Sequence, residues 1–405
     1  MSMVFNPSTN EPFIAFPDGA ANAFKVLYFN GTSWLQVGAD VGFTGGDAGI
    51  SMAFHPITNE TYIAYPDAAA NAFIVSRFDG ANWIQVGTNL GFASGGAGIS
   101  IKFNPSNNEP YVAYADGAAN AFKIESFNGT AWSQIGANLG FTSSGTISLA
   151  FNPSNNLPYV AYADGAANAF KIEGYSGTWG QVGTDLGITG GDAGIDLAFN
   201  PVSQEPYVIY SDGAANAFKV QSYNGLFWSQ LGGDLGFASG GVGAAISFRP
   251  FTNEPCVIYP DGASNSFKVS DYNGSIWNQV GVDLGFASGG GPFGGTTKAA
   301  ITFRTLDTEP YVFYPDAGSN VFVAQRFPCT ATTSSITVTE CVFYISPSGT
   351  LYNSTGIYAD TISNAVNCDS IITIDLTINA LPTNTLSQNG ALLTADQASA
   401  SYQWL

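Results

Sequence analysis

The sequence predicts an all-β protein whose main part is a seven-bladed β-propeller with four-stranded blades. Three observations lead to this prediction. A segment like Asp18-Gly-Ala-Ala-Asn-Ala-Phe24 occurs in seven copies. Each copy holds four short stretches of alternating or β-rich residues, separated by turn signals such as Asn-Gly and Asp-Gly. No segment combines helical periodicity with helix caps.

The length of the repeat favours a β-propeller over other repeat architectures. The phenylalanine that closes each copy recurs at spacings of 49, 49, 48, 48, 49 and 55 residues. Four strands in a unit of this length are typical of a propeller blade. A linear β-solenoid is the competing architecture, but its repeats are usually shorter and lack three internal hairpin turns. The copies predict a propeller over residues 1–327.

The third copy shows the predicted strands of one blade. They are Ile99–Phe103, Tyr111–Tyr114, Ala121–Phe127 and a fourth strand that begins at Trp132. Each strand ends at a Pro-, Gly- or Asn-containing turn, and a Gly-rich link leads to the next copy.

Two further sets of aromatic residues repeat, and both are predicted to pack between blades rather than to bind ligands. One set opens the fourth strand: Trp34, Trp83, Trp132, Trp179, Trp228 and Trp277. The other set stands in the Gly-rich links: Phe43, Phe92, Phe141, Phe237 and Phe286, with Ile188 in the fourth copy.

The seventh copy has no Trp strand, while Ser2-Met-Val-Phe5 matches the first strand of the next copy, Ser51-Met-Ala-Phe54. We therefore expect that a strand upstream of this sequence completes the last blade and protects its edge.

The composition changes after Phe327. Residues 328–334 are predicted to be a linker, and residues 335–380 a small all-β module with strands Ser335–Cys341 and Ser370–Ile378. Because so small a unit has little core, we expect a disulfide between Cys341 and Cys368, the alternative being two buried free thiols. Cys256, in contrast, replaces an apolar strand residue and is predicted to be core.

The C-terminal part resembles modules of large bacterial surface proteins that are exported by type IX secretion. The residues that carry this resemblance are Ser346-Pro-Ser-Gly349, Gly356–Ile362 and Asn367–Ile374. Residues 381–405, ending in Ala400-Ser-Tyr-Gln-Trp-Leu405, look like the start of a truncated Ig-like domain, and the repeats are similar to those of secreted bacterial β-propeller proteins. The resemblance implies an extracellular or cell-surface location, and a monomer within a longer multidomain chain.

Composition excludes several functions. Lys plus Arg number 11 against 30 Asp plus Glu, a net charge of −19, so nucleic acid is not an expected partner. No apolar run approaches the roughly 18 residues that cross a bilayer, so no membrane insertion is expected. One histidine, His55, and four cysteines without CxxC spacing do not predict a metal site.

The candidate ligand-binding residues lie in the repeated turn, which should share a face with the Gly-rich links. They are seven aspartates and seven asparagines, namely Asp18, Asn22, Asp67, Asn71, Asp116, Asn120, Asp164, Asn168, Asp212, Asn216, Asp261, Asn265, Asp316 and Asn320. Their oxygens suit sugar hydroxyls or calcium, the one cofactor considered. The alternative is that they hydrogen-bond the backbone of their own turn.

The sequence predicts no enzyme, because catalysis needs different groups at one centre, whereas the copies are nearly identical and the four arginines are scattered. We expect a secreted or cell-surface binding and adhesion protein, with glycans or surface proteins as partners. A glycan-binding lectin and a structural spacer are the alternatives. A glycoside hydrolase or lyase is less favoured.

Overall fold

A computed structural model of the chain describes residues 1–42, 49–92, 98–189, 194–236, 243–285, 298–304, 309–327, 332–363, 369–380 and 386–395. These residues form strands and turns without a helix, which confirms the predicted all-β class. No helix in these ranges therefore has the length and apolar character needed to span a membrane. The chain divides into two units, Met1–Pro328 and Cys329–Leu405.

The described part of the first unit contains six four-stranded antiparallel sheets and one three-stranded sheet. The first three sheets comprise β1 (Ser2–Phe5), β2 (Pro12–Asp18), β3 (Ala23–Phe29), β4 (Trp34–Gln36), β5 (Ser51–Phe54), β6 (Thr61–Asp67), β7 (Ala72–Phe78), β8 (Trp83–Gln85), β9 (Ile99–Phe103), β10 (Pro110–Asp116), β11 (Ala121–Phe127) and β12 (Trp132–Gln134). The next three comprise β13 (Thr142–Phe151), β14 (Pro158–Asp164), β15 (Ala169–Tyr175), β16 (Trp179–Gln181), β17 (Ile195–Phe199), β18 (Pro206–Asp212), β19 (Ala217–Tyr223), β20 (Trp228–Gln230), β21 (Ala245–Phe248), β22 (Pro255–Asp261), β23 (Ser266–Tyr272) and β24 (Trp277–Gln279). The seventh comprises β25 (Ala300–Phe303), β26 (Pro310–Asp316) and β27 (Val321–Arg326).

The predicted repeat of four-stranded sheets is thus confirmed, with the order of strands in each sheet following the chain. The predicted strands Ile99–Phe103 and Ala121–Phe127 have the predicted bounds. The seventh copy shows only three strands in the described residues. The upstream strand that would complete it stays a prediction.

The sheets are arranged as a closed ring. The first strand of each sheet contacts the first strand of the next, and β25 of the last sheet contacts β1 of the first. Phe322 of the seventh sheet packs on Phe16 of the first, with ring centroids 5.1 Å apart. A linear solenoid would keep its two ends apart, so this contact excludes the competing architecture.

The apolar core lies between neighbouring sheets. The first phenylalanine of a third strand packs on a tyrosine in the second strand of the next sheet, as in Phe73 with Tyr114, Phe122 with Tyr162 and Phe170 with Tyr210. These rings are essentially inaccessible to solvent. Burial of so much aromatic surface is the main stabilising term for the contact between sheets.

The fourth-strand tryptophans also join neighbouring sheets, as predicted. The indole N–H of Trp132 donates to the Val86 carbonyl of the preceding sheet at 2.8 Å. The same bond runs from Trp83, Trp179, Trp228 and Trp277 to Val37, Ile135, Val182 and Leu231, at 3.0, 2.8, 2.8 and 2.7 Å. Trp34 makes no such bond in the described part of the chain, because its preceding sheet is the three-stranded one.

The second unit is a separate small β structure. Its strands are β28 (Thr332–Cys341), β29 (Tyr344–Ile345), β30 (Leu351–Tyr352), β31 (Gly356–Ser363), β32 (Asp369–Asn379), β33 (Leu386–Asn389) and β34 (Leu392–Ala395). β32 pairs in parallel with β28 and antiparallel with β31, and its Ile372, Ile374 and Leu376 are buried. β28 begins inside the range predicted as a linker, because its Thr and Ser residues continue the parallel ladder. The final Ala400–Leu405 segment lies outside the described residues.

The indole hydrogen bond predicts that Trp132 and Trp34 differ in their contribution to stability. Trp132→Phe removes a hydrogen bond to the preceding sheet and should lower the free energy of unfolding by about 1 kcal/mol, measured by urea denaturation. Trp34→Phe is the matched control, since it makes the same change without losing such a bond. Equal destabilisation by both substitutions would contradict a role for the hydrogen bond.

Candidate functional site

The seven aspartates of the predicted site each end the second strand of a sheet. Each carboxylate accepts a hydrogen bond from the backbone N–H two residues further on, inside its own turn. The donors are Ala20, Ala69, Ala118, Ala166, Ala214, Ala263 and Gly318, at 3.0, 2.9, 3.0, 3.0, 3.0, 3.1 and 3.0 Å. The aspartate side chains therefore hydrogen-bond the backbone of their own turns, which was the alternative to ligand binding.

Five of these aspartates also form an ion pair across the hairpin with a lysine seven residues later. The pairs are Asp18–Lys25, Asp116–Lys123, Asp164–Lys171, Asp212–Lys219 and Asp261–Lys268, at 2.5, 2.6, 2.8, 2.7 and 2.7 Å. Ile74 and Val323 stand at the lysine position after Asp67 and Asp316.

Three of the paired aspartates hold the neighbouring sheet as well. The Asp116 carboxylate accepts the backbone N–H of Phe92, in the link before its sheet, at 3.1 Å. The Gly117 N–H donates back to the Phe92 carbonyl at 3.0 Å. Asp164 and Asp212 accept in the same way from Phe141 and Ile188, at 3.1 and 3.2 Å. The predicted proximity of turns and links is thus confirmed at these three junctions.

A glycine allows this close approach of link and turn. Gly91 has a φ of +44°, and a Cβ on it would lie 2.5 Å from the Tyr114 ring. Any other residue at this position would push the link away from the next sheet.

The charge of Asp116, Asp164 and Asp212 follows from these contacts. Burial opposes ionisation of Asp116, but the Lys123 ammonium and the N–H groups of Phe92 and of its own turn outweigh it, so the pKa of Asp116 is lowered. The pKa values of Asp164 and Asp212 are lowered by the same balance. These carboxylates are therefore ionised and already engaged at neutral pH.

The seven asparagines shape the turn. Asn22, Asn71, Asn120, Asn168, Asn216, Asn265 and Asn320 all have φ values between 51° and 60°, in the left-handed region. Asparagine tolerates this conformation better than most residues, which accounts for its repetition. Whether the Asp and Asn side chains also bind a ligand stays a prediction.

The described aspartates offer few oxygen ligands to a calcium ion, because their carboxylates are already hydrogen-bonded. Within the described ranges, no group of three or more His, Cys, Asp or Glu side chains is placed to hold a metal ion. Each paired aspartate gives one oxygen to backbone N–H groups and the other to a lysine. A calcium ion would have to displace the lysine to gain one carboxylate ligand.

The junctions do expose apolar side chains that sequence reasoning assigned to packing. Phe92, Phe141 and Ile188 are 39%, 43% and 44% exposed. Each lies beside an exposed turn, residues 118–120 in the case of Phe92. We call each of these exposed side chains, together with the turn that its backbone contacts, a junction patch. Phe43, Phe237 and Phe286 lie outside the described residues.

A cavity of 660 Å³ lies at the centre of the ring. The first strands of all seven sheets line it, and Lys102, Asp196 and Lys298 are among its lining residues. The repeats differ at these positions, so the symmetry that argued against an enzyme does not extend to the cavity. Sequence reasoning missed all three residues, although their departure from the other copies was a visible signal.

The cysteines divide between the two units. Cys256 is buried, as predicted, and burial raises the pKa of its thiol. Cys341 is exposed and forms no disulfide with another described cysteine. Its predicted partner Cys368 lies outside the described residues, so the disulfide stays a prediction.

Comparison with solved structures found proteins of similar fold. The SapL1 lectin in complex with α-methyl fucoside is 17% identical, and the match covers 70% of this chain and 95% of that chain with a TM-score of 0.50. A putative 6-phosphogluconolactonase from Bacteroides uniformis is 12% identical over 84% of this chain and 94% of its own, also at 0.50. A fungal lectin from Aleuria aurantia, described as a six-bladed β-propeller with a novel fucose recognition mode, is 14% identical over 72% and 96%, at 0.48.

These identities establish a likeness of fold alone. No protein-family model and no curated protein matches the chain.

The ion pairs of Asp116, Asp164 and Asp212 predict a contribution to stability that is lost in acid. Asp164→Asn keeps the shape of the side chain but removes its charge opposite Lys171, and should cost about 2 kcal/mol of unfolding free energy at pH 7. Because the folded-state pKa of Asp164 is lowered, this difference should be complete above about pH 4, the ordinary range of aspartate. It should shrink as pH falls through the folded-state value.

Urea denaturation between neutral and acid pH measures this effect. Asp67→Asn is the control, since Ile74 stands in place of the lysine, and this substitution should cost less at pH 7. A loss from Asp164→Asn that does not change with pH would contradict the ion-pair account.

Proposed function

We propose that this chain is a non-catalytic glycan-binding protein, a seven-bladed β-propeller whose junction patches form repeated sugar sites. The observation that carries the proposal is the repetition of one surface at successive junctions. At each of the three described junctions, an exposed apolar side chain is fixed beside a polar turn by the same pair of backbone contacts.

The chemistry of a junction patch suits a sugar ring. The Phe92 and Phe141 rings offer an apolar face that can stack on the C–H face of a pyranose. Exposed residues 118–120 offer backbone carbonyl groups to its hydroxyls. The hydrogen bonds between the link and the aspartate fix this arrangement before the ligand binds, which reduces the entropy that the protein loses on binding.

Repetition matters because stacking of a sugar on one side chain is a weak interaction. Several equal sites in one rigid ring raise the apparent affinity for a surface that carries many copies of a glycan. This supports adhesion as the biological use of the sites.

The proposal includes an extracellular or cell-surface location. The resemblance of the C-terminal module to those of secreted surface proteins supports it, with Gly356–Ile362 falling on β31. Protease treatment of intact cells of the source organism would remove a surface protein and leave an internal one.

A glycan array of neutral oligosaccharides tests the sugar sites, with α-methyl fucoside as the first soluble competitor because one structural neighbour is a complex with it. The double variant Phe92→Ala/Phe141→Ala removes both described aromatic platforms. It should lower array binding by about tenfold, since both stacking and avidity are lost.

Phe227→Ala is the matched control, because Phe227 is a 57% exposed phenylalanine in a hairpin turn away from the junctions. It should bind as the unmodified chain does. Equal binding by the double variant, or no binding of any neutral glycan by the unmodified chain, would contradict the proposal.

A further inference from the structure

Four serines at the same position of successive first strands line the central cavity and join these strands; we call this level of the ring the serine ring. The hydroxyl oxygens of Ser2, Ser51, Ser100 and Ser148 accept the backbone N–H of the next sheet's first strand, from Met52, Ile101, Leu149 and Leu197, at 3.1, 3.1, 3.2 and 3.2 Å. In each case the oxygen acts as acceptor, so the hydroxyl hydrogen remains to be donated.

Asp196 takes the serine position in the fifth sheet and satisfies several neighbours. One carboxylate oxygen accepts the Ile246 N–H at 3.0 Å, as a serine would. The other accepts the Ser148 hydroxyl at 2.8 Å and the Lys298 ammonium. Three hydrogen bonds within the protein thus use most of its acceptor capacity, while the hydroxyls of Ser2, Ser51 and Ser100 donate to no acceptor in the described part of the chain.

The cavity holds the two lysines that the outer hairpins do not use. The chain has seven lysines, and five pair with the strand-end aspartates. The other two, Lys102 and Lys298, both line the cavity. In a chain with a net charge of −19, this leaves a centre with two ammonium groups and one carboxylate.

Lys102 is the unusual member of this centre. At its strand position the other copies carry small residues: Val4, Ala53, Ala150, Ala198, Ser247 and Thr302. No carboxylate in the described ranges forms an ion pair with it. Burial lowers the pKa of Lys102, Asp196 opposes this effect and Lys298 adds to it. The Lys102 side chain is nevertheless exposed to the solvent of the cavity, so its ammonium is open to a ligand that enters there.

The register of the first strands places the two lysines on opposite sides of the serine ring. Lys298 precedes the ring position by two residues, and Lys102 follows it by two. At about 3.3 Å per residue, each Cα lies roughly 7 Å from the level of the ring, a distance that a lysine side chain spans. The two ammonium groups can therefore converge on one ligand at that level.

We propose that the central cavity binds a small oxyanion, the carboxylate or phosphate of a sugar-sized molecule, between Lys102 and Lys298. Two ammonium groups against one carboxylate, and three serine hydroxyls without an acceptor in the described part of the chain, favour a negatively charged ligand that accepts hydrogen bonds. The volume of 660 Å³ is in the range of small-molecule sites. This site uses none of the junction residues, so its test and the test of the glycan sites can fail independently.

Isothermal titration of the full chain tests the proposal with three probes. Glucuronate and glucose 6-phosphate represent the two oxyanions, and glucose is the neutral control. At least one anion should bind saturably, with a Kd of about 1 mM or tighter, while glucose binds at least tenfold more weakly. Binding should weaken as NaCl rises from about 50 to about 500 mM.

Lys102→Ala is the decisive variant, since alanine occurs at this position in three other copies and should not disturb the fold. It should weaken anion binding by about tenfold, equal to a loss of about 1.4 kcal/mol. Arg326→Ala is the control for net charge, because Arg326 is 57% exposed on β27. It should change the Kd by less than about twofold.

Acetylation followed by peptide mass spectrometry locates the anion directly. The bound anion should protect Lys102 and Lys298 from the reagent and leave the labelling of Lys171 unchanged. Failure of both anions to bind would overturn the proposal. So would a Lys102→Ala variant that binds like the unmodified chain, or labelling of Lys102 that the anion does not alter.

Discussion

The arrangement of the ring depends on the carboxylate at the end of each second strand. In the third, fourth and fifth sheets this one side chain closes its own turn, pairs with a lysine across the hairpin and holds the link from the preceding sheet. The three contacts require one geometry. The turn, the hairpin and the neighbouring sheet are therefore fixed together, and the apolar side chain of the link is held at the surface.

Near-identical repeats place these contacts at three successive described junctions, so the same outer surface recurs there. The cavity differs because the first strands vary where the outer hairpins do not. Asp196 replaces a serine, Lys298 replaces a glycine or threonine, and Lys102 replaces a small residue. One fold thus combines a repeated outer surface with a single asymmetric centre.

Much of this architecture could be predicted from the sequence, because hairpin turns and alternation are local signals. Strands such as Ile99–Phe103, the packing of Trp132 between sheets and the proximity of turns to links all followed from the repeat. The role of Asp116 could not be predicted, since the same sequence pattern fits an aspartate that stabilises a turn and one that binds a ligand. The pairing of Asp196 with Lys298 was hidden because 102 residues separate them, and only closure of the ring brings them together.

The strand-end aspartates are structural, and the surface that they support is the proposed sugar-binding surface. Glycan-array binding in calcium and then in EDTA tests this claim most directly. Because the paired carboxylates are committed to lysines and backbone N–H groups, the same glycans should bind to the same extent in both buffers. Binding that requires calcium would contradict the account, since it would show that these carboxylates are free to hold a metal ion with the sugar.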